Sequence, residues 1–577
     1  MSSPHPFTIS AYRDRLIQHP ALGDTAHQRI ARMIEAAGPT DADGHPYPFF
    51  RATLFGIDAA IRQLVDQYFR PAALGLETRR RIVLLVGPVS SGKSSIATRL
   101  KRGLEAFTAT PEGQLYAIAD CPMHEDPLHL LPMADRQTLA DACHRPAWTE
   151  GTLCPLCQWR LDHLYGGDPE AFPITPITLS ESHRRGIGTY APSDPKSQDI
   201  ADLTGSIDFA TIGDVGSESD PRAFRFDGEL NIANRGLIEF QEMLKLDERF
   251  LYTLLSLSQE GNFKTGRYQL ISSDTVILGH TNLSEYEAFR ANPRNAALLS
   301  RMVVIPVPYA ASAADEARIY AQQCQPHLGA LHVDPTLFAT MADWALASRQ
   351  APSDPPAPPG FAGLDPRRVH DTVATVLATT PVPCVTTPQW LEAVRAQWTQ
   401  DPLQAWNPQD PQLRHLATAE GHWHHESTQT LARLVAQHPR AFPHADLASR
   451  FVQEIPAESD AYREPSAWMQ RLEERLQWTS ATAPAYWQEL RLGYQAFARQ
   501  HPQWSGSTQA HRFLATLPEI ATALQQIAWE ALCQGALAQD AALRHRLADR
   551  LVASDTRYCV LCAQATVNEV VARGVSA

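Results

Sequence analysis

Residues 82–94 read IVLLVGPVSSGKS: five apolar residues, then Gly-x-x-x-x-Gly-Lys-Ser, followed by the helix-forming run IATRLKRGL. An apolar run of this length closed by glycine predicts a buried strand, and the glycine-spaced segment predicts a tight turn into a helix. In that setting the backbone N–H groups of the turn converge at a helix N-terminus, where phosphate oxygens are stabilised. Gly87, Pro88, Val89, Ser90, Ser91, Gly92, Lys93, Ser94 and Ser95 are therefore the candidate nucleotide-binding residues. Lys93 would neutralise the β and γ oxygens and Ser94 would offer its hydroxyl to Mg²⁺, so ATP and Mg²⁺ are the expected ligands. A strand–loop–helix unit of this kind needs an α/β sheet around it, which sets the fold class.

The rest of the composition is consistent with several folded parts. The 577 residues are 44% hydrophobic and 20% charged, ordinary globular usage, and the length allows about three to five domains. A net charge of −13 repels a polyanion as a whole, which disfavours nucleic acid as a partner. The first twenty residues, MSSPHPFTISAYRDRLIQHP, lack an apolar targeting core, and no stretch approaches the ~18 apolar residues of a membrane span. A cytoplasmic protein with no membrane partner is expected. Nine cysteines in such a chain suggest metal sites or buried thiols instead of disulfides.

Along the chain, residues 1–50 show helical spacing and form a small lead-in. Residues 51–310 alternate helical patterns with buried-strand runs such as TVILGHTN and RMVVIPVPY, interrupted at about 120–190 by a Cys- and His-rich insertion. Residues 311–400 turn helical around the proline-rich loop QAPSDPPAPPGFAG, and 401–577 read as a separate, mainly α-helical domain.

Several longer strings carry more information than the loop alone. They are LFGID at 54–58, GLETRRRIVLLVGPVSSGKSS, DCPMHEDPLHLLP at 120–132, SDPKSQD at 193–199, GSESDPRAFRFDGELNIANRG at 216–236 and LDPRR at 364–368. Through them the chain, over about residues 10–400, resembles the PrkA family of AAA+ proteins, historically labelled serine protein kinases. The resemblance implies an AAA+ P-loop NTPase core, a parallel sheet flanked by helices, with a helical lid. It also implies an acidic group that orients water, for which Glu242 is the candidate. Gln241 stands where an aspartate is usual and Glu239 interrupts the apolar run before it, so this strand is a degenerate copy. Asn282, ending the strand before it, suits a sensor amide or an ordinary turn asparagine. Arg301 is the candidate arginine for a neighbouring subunit's ATP site, with Arg294 as the fallback. Arg367 resembles the second sensor of the lid, a role Arg368 could equally fill.

An arginine acting in trans implies a homo-oligomer, and by resemblance a hexameric ring. The same resemblance suggests a protein client or a von Willebrand A-type partner. If hydrolysis moves loops against such a partner, the segment at about Gly186–Asp199, with Asp194 and Lys196, is the candidate; an ordinary ordered surface loop is the alternative. The expected activity is ATP hydrolysis that remodels or regulates a protein. A serine/threonine kinase is the main alternative, although neither HRD-x-x-x-x-N nor DFG occurs. A Lon-like ATP-dependent protease and a nucleotide-gated scaffold are the others. The five lysines are Lys93, Lys101, Lys196, Lys245 and Lys264, so no Ser-Lys dyad can lie in residues 265–577.

Cys121-x-x-His124 and Cys154-x-x-Cys157 are two ligand pairs that suit one tetrahedral Zn²⁺; reduced, packed thiols are the competing reading. Cys559-x-x-Cys562 is a single pair that lacks two ligands unless Cys533, His545 or another subunit supplies them. The tract His422-Trp423-His424-His425 reads as surface loop.

Overall fold

The computed structural model describes residues 8–40, 44, 47–192, 198–265, 270–329, 331–350, 356–379, 383–400, 411–437, 466–504 and 506–576. The expected moving loop falls partly outside them, Asp194 and Lys196 included, as does part of the proline-rich loop. The chain forms two compact units, Met1–Asp315 with Ser353–Ala362, and Glu316–Pro352 with Gly363–Ala577.

The first unit is built on a five-stranded parallel sheet. Its strands are β1 (Ile82–Val86), β4 (Ile187–Tyr190), β7 (Leu237–Phe240), β10 (Val276–Thr281) and β11 (Met302–Pro306), in the order β11-β1-β10-β7-β4. Short antiparallel pairs decorate it: β2 (Leu115–Ile118) with β3 (Ile174–Ile177), β5 (Ser206–Ile207) with β6 (Phe224–Arg225), and β8 (Asn262–Lys264) with β9 (Leu270–Ser272). All five residues of β1 are buried, because the strand is covered on both faces. Val83 and Leu85 pack with Ile96, Ala97, Leu100 and Leu104 of the helix Lys93–Thr108, together with Ile30 and Ile34 of the lead-in helix Ala26–Ala36. Ile82, Leu84 and Val86 face the other way, toward Phe250, Leu254 and Leu257. Each such side chain contributes about 2 kcal/mol by leaving water.

The strand order has a direct consequence for ligand binding. The chain runs outward from β1, returns through β7 and β10 on one side, and then crosses to β11 on the other. β1 is thus the point where the order reverses, and a crevice opens at the carboxyl ends of the strands there. The Lys93 loop leaves β1 into that crevice.

Among its described residues the second unit is helical, with one two-stranded parallel element, β12 (His332–Val333) beside β13 (Cys384–Val385). Trp344 and Trp390 are fully buried, and the Trp344 ring meets those of Trp390 and Trp398 edge-on. The Trp423 indole donates to Thr336 Oγ1 at 3.0 Å, so Pro411–Gln437 packs against the start of the unit. That helix contains the whole His422–His425 tract, which is therefore not a surface loop: Trp423 is a core residue on a helix face.

Candidate functional site

The loop between β1 and its helix has the conformation that phosphate binding requires. Gly92 lies at φ +97° and Ser90 at φ +62°, so successive N–H groups turn inward. A Cβ at Gly87 would sit 2.1 Å from the Val307 carbonyl oxygen, so no other residue fits there. The Ser90 and Ser91 hydroxyls are buried and have no hydrogen-bond partner, while Ser94 and Ser95 are exposed on the first turn of the helix. Lys93 reaches back along the loop, its ammonium donating to the Gly87 and Pro88 carbonyls at 2.7 and 2.5 Å. The Tyr309 hydroxyl closes the loop from outside through a 2.8 Å bond to the Val89 carbonyl. Unpartnered hydroxyls, a cradle without room for a Cβ and an ammonium held over the loop fit a triphosphate and its Mg²⁺.

Two of the expected residues flank this loop on the same edge of the sheet. Asn282 follows β10, the immediate neighbour of β1, with Thr281 paired to Val86. Its Oδ1 accepts from the Glu285 N–H and the Ser284 hydroxyl, both at 2.8 Å, and so caps the helix Leu283–Ala291. The cap uses the oxygen, and the donor end of the amide, Nδ2, is what a sensor would use. Glu242 follows β7, one strand further, at about 10 Å across the sheet from β1. It adopts a left-handed conformation, φ 48° and ψ 46°, and pairs with Lys245 at 3.3 Å. Gln241 is tied by its backbone to the Tyr190 carbonyl at 2.9 Å.

Arg301 lies elsewhere. It immediately precedes β11, whose first residue pairs with Ile82, so it stands at the opposite edge of the sheet from the loop that follows Val86. The five residues of β11 put it about 17 Å from its own chain's phosphate loop. Among the described residues its side chain pairs with the exposed Glu77, at 3.5 Å, a contact of little energetic weight. Arg294 is exposed in the short turn Pro293–Asn295. In the second unit, Arg367 is exposed on the first turn of Pro366–Thr379, and its N–H bonds to Asp365. Arg368 is committed to the Trp398 ring, 5.0 Å from its centroid.

Glu239, which looks like a flaw in its strand, has a partner that sequence reasoning missed. Its carboxylate is buried and meets Lys101 Nζ at 2.6 Å and His280 Nε2 at 3.2 Å. Lys101 also donates to Glu181 at 2.7 Å and to the Thr189 hydroxyl at 3.0 Å. Burial alone would raise the Glu239 carboxyl, but the bonds from His280 and Lys101 outweigh it and hold the group below its ordinary range. Burial would likewise lower Lys101, and its two carboxylates hold it above its ordinary range. The network ties the phosphate-loop helix to β7, β10 and β4.

The cysteines of the insertion converge, with one change in the ligand set. Cys121, Cys154, Cys157 and Glu125 place one donor atom each within 4.8 Å of one another, all four residues buried. His124 is not among them; it occupies the left-handed turn after Cys121, at φ 49°. The following residue supplies the fourth group instead. Glu125 accepts from the Cys154 N–H at 2.7 Å and is bonded to His129 Nδ1 at 3.1 Å. Burial raises its carboxyl above the usual range. Three thiols and a carboxylate form a donor set that can hold a zinc ion.

Among the described residues no helix is long and apolar enough to cross a membrane. The chain is 51% identical over 346 residues to "ATP-dependent protease PrkA" of Bacillus subtilis (strain 168), a match that covers 59% of this chain and 54% of that one. It is 32% identical over 342 residues to "Serine/threonine kinase YeaG" of Escherichia coli (strain K12), covering 58% and 51%. The match thus spans about half the length of these curated relatives. Among solved structures, a Thermotoga maritima RUVB P216G mutant overlaps 59% of this chain and 71% of its own at 10% identity, with a TM-score of 0.30. The PrkA AAA domain model matches residues 9–355, which contain the phosphate loop, the central sheet and the cysteine cluster of the insertion, and the chain belongs to that family.

Proposed function

We propose that this chain binds Mg²⁺-ATP at residues 87–95 and hydrolyses it within a homo-oligomer to remodel or regulate a protein partner. The observation that carries the reading is the layout of the central sheet. The phosphate loop, Asn282 and Glu242 share one edge, and Arg301 stands on the other, where it can serve only a neighbouring copy. In this reading Lys93 leaves the Gly87 and Pro88 carbonyls for the β and γ oxygens, and the loop N–H groups orient the triphosphate. Mg²⁺, when bound, neutralises charge between those oxygens, with the Ser94 hydroxyl as its protein ligand. Glu242 polarises the attacking water, Asn282 Nδ2 holds it or the γ-phosphate, and Arg301 of the adjacent copy stabilises the departing charge. Arg367 serves as the lid sensor, since Arg368 is held by Trp398. A hexameric ring, a cytoplasmic location and a von Willebrand A-type partner belong to the same proposal and rest on family resemblance. The Cys121–Glu125–Cys154–Cys157 cluster is assigned to a structural zinc.

The names of the two relatives favour different outputs, phosphorylation and proteolysis, and one experiment separates the first from hydrolysis. The γ-phosphate of labelled ATP is followed with Mg²⁺ and a general protein substrate. Free phosphate that falls at least about 100-fold in Lys93→Ala is the expected result. Lys93-dependent label on serine or threonine would instead make the chain a kinase. Nucleotide binding with neither product would leave a nucleotide-gated scaffold.

A further inference from the structure

The lone Cys559-x-x-Cys562 pair is not alone in the folded chain. His332, Cys384, Cys559 and Cys562 each place one donor atom so that all four lie within 4.8 Å of one another, entirely inside the second unit. The geometry points to a second zinc site, of three thiolates and one imidazole, that fastens the C-terminal helix Val560–Ser576 to the β12–β13 pair.

Each ligand is placed by a definite local rule. β12 and β13 are parallel, and His332 is in register with Cys384, so the two side chains leave the same face side by side. Cys559 precedes the first residue of the helix, and Cys562 follows one turn later, which brings both sulfurs to the helix N-terminus, where negative charge is favoured. The Cys559 N–H donates to Cys562 Sγ at 3.2 Å, a contact that stabilises a thiolate.

The imidazole is oriented for metal as well. His332 Nε2 lies 3.0 Å from the Arg557 carbonyl, which can only accept, so that nitrogen carries the proton. Nδ1 therefore presents its lone pair to the cluster, 3.1 Å from Cys384 Sγ. A tetrahedral zinc with Zn–S of ~2.3 Å and Zn–N of ~2.0 Å needs ligand atoms about 3.5–3.8 Å apart, within the observed spread. The carbonyl behind the ring is the usual outer partner of a metal-bound histidine.

The ligands come from far apart along the chain. His332 and Cys384 are 52 residues apart, and His332 and Arg557 225. A metal here would close a loop spanning most of the second unit, which restricts the unfolded chain and fixes the C-terminal helix to the beginning of the unit. That separation is why the CxxC appears to lack ligands in the sequence.

The test uses full-length protein in which the other cluster has been dismantled by Cys154→Ser/Cys157→Ser. Zinc content after dialysis is expected to be one per chain, and to fall to none when Cys384→Ser and Cys559→Ser are added. X-ray absorption on the zinc-loaded protein is expected to show three sulfurs at ~2.3 Å and one imidazole nitrogen. His332→Cys preserves four ligands and guards against a variant that merely misfolds. It is expected to keep its metal, and its cobalt-substituted form should gain thiolate charge-transfer absorption by about one third. Zinc content indifferent to Cys384 and Cys559 overturns the proposal. So does wild-type protein that takes up no zinc at this cluster, whether its thiols are recovered free or Cys559 and Cys562 are recovered as a disulfide.

Discussion

A carboxylate in the middle of a buried strand must be neutralised, or it costs several kcal/mol. Glu239 meets that demand with Lys101 and His280, and the arrangement has a pH signature. Its carboxyl is held below the ordinary value, so its contribution to stability is complete above the unfolded carboxylate pKa of ~4.3 and is lost as pH falls through the lower folded value. Lys101 is raised, so its contribution is complete below ~10.4 and is lost as pH rises through its folded value. The pair therefore stabilises fully at neutral pH. Urea midpoints measured from pH 3 to 7 should fall more steeply toward acid for the wild type than for Lys101→Met/Glu239→Gln. Lys101→Met alone strands the carboxylate and should cost about 3–5 kcal/mol at pH 7. An equal cost for the double variant would show that the pair itself contributes nothing special.

Asn282 belongs to the scale of the element, because its side chain sits at the junction of a strand and a helix. Its oxygen caps Leu283–Ala291, and in the proposed function its amide nitrogen serves the nucleotide. Aspartate caps as well as asparagine but has no donor, so Asn282→Asp should keep the wild-type melting temperature and lose ATP turnover. Asn282→Ala should lose the turnover and about 1 kcal/mol of stability. Turnover preserved in Asn282→Asp would reduce the residue to a cap.

Elements of this kind also show what could be read from sequence. β1 is legible to its last residue, since an apolar run closed by a glycine-spaced loop has one structural solution. The identity of the partner to Glu239 is not legible, because the lysine that neutralises it sits in a different element and local patterning contains no sign of it. The fourth group beside the three insertion thiols is not legible either: the spacing points to His124, while the fold, with a left-handed turn at that residue, gathers Glu125 with Cys121, Cys154 and Cys157. The His422–His425 tract looks like a solvated loop in sequence because of its histidines, whereas Trp423 is buried on one face of a helix. His332 and Cys384, which gather around Cys559 and Cys562, are not legible as their neighbours because they lie in a distant part of the chain.

At the scale of the whole molecule, removing metal should act on structure before chemistry. A high-affinity zinc chelator is expected to expose the insertion around Cys121–Cys157 to limited proteolysis while the phosphate loop still binds nucleotide, which a fluorescent ATP analogue would report. Unchanged protection of the insertion would make its thiols ordinary packing groups.

With Arg301 in the proposed trans role, its separation from Lys93 across the depth of one sheet would make each copy half of two different machines. A chain bearing Arg301→Ala would keep a sound pocket of its own but fail the copy beside it. A chain bearing Lys93→Ala would be dead in itself yet still lend its neighbour an arginine. Two separately inactive preparations, mixed and allowed to exchange, should therefore recover turnover by complementation, because an Arg301→Ala chain beside a Lys93→Ala chain has a complete site. A mixture that stays as inactive as its parts would mean that every copy works alone.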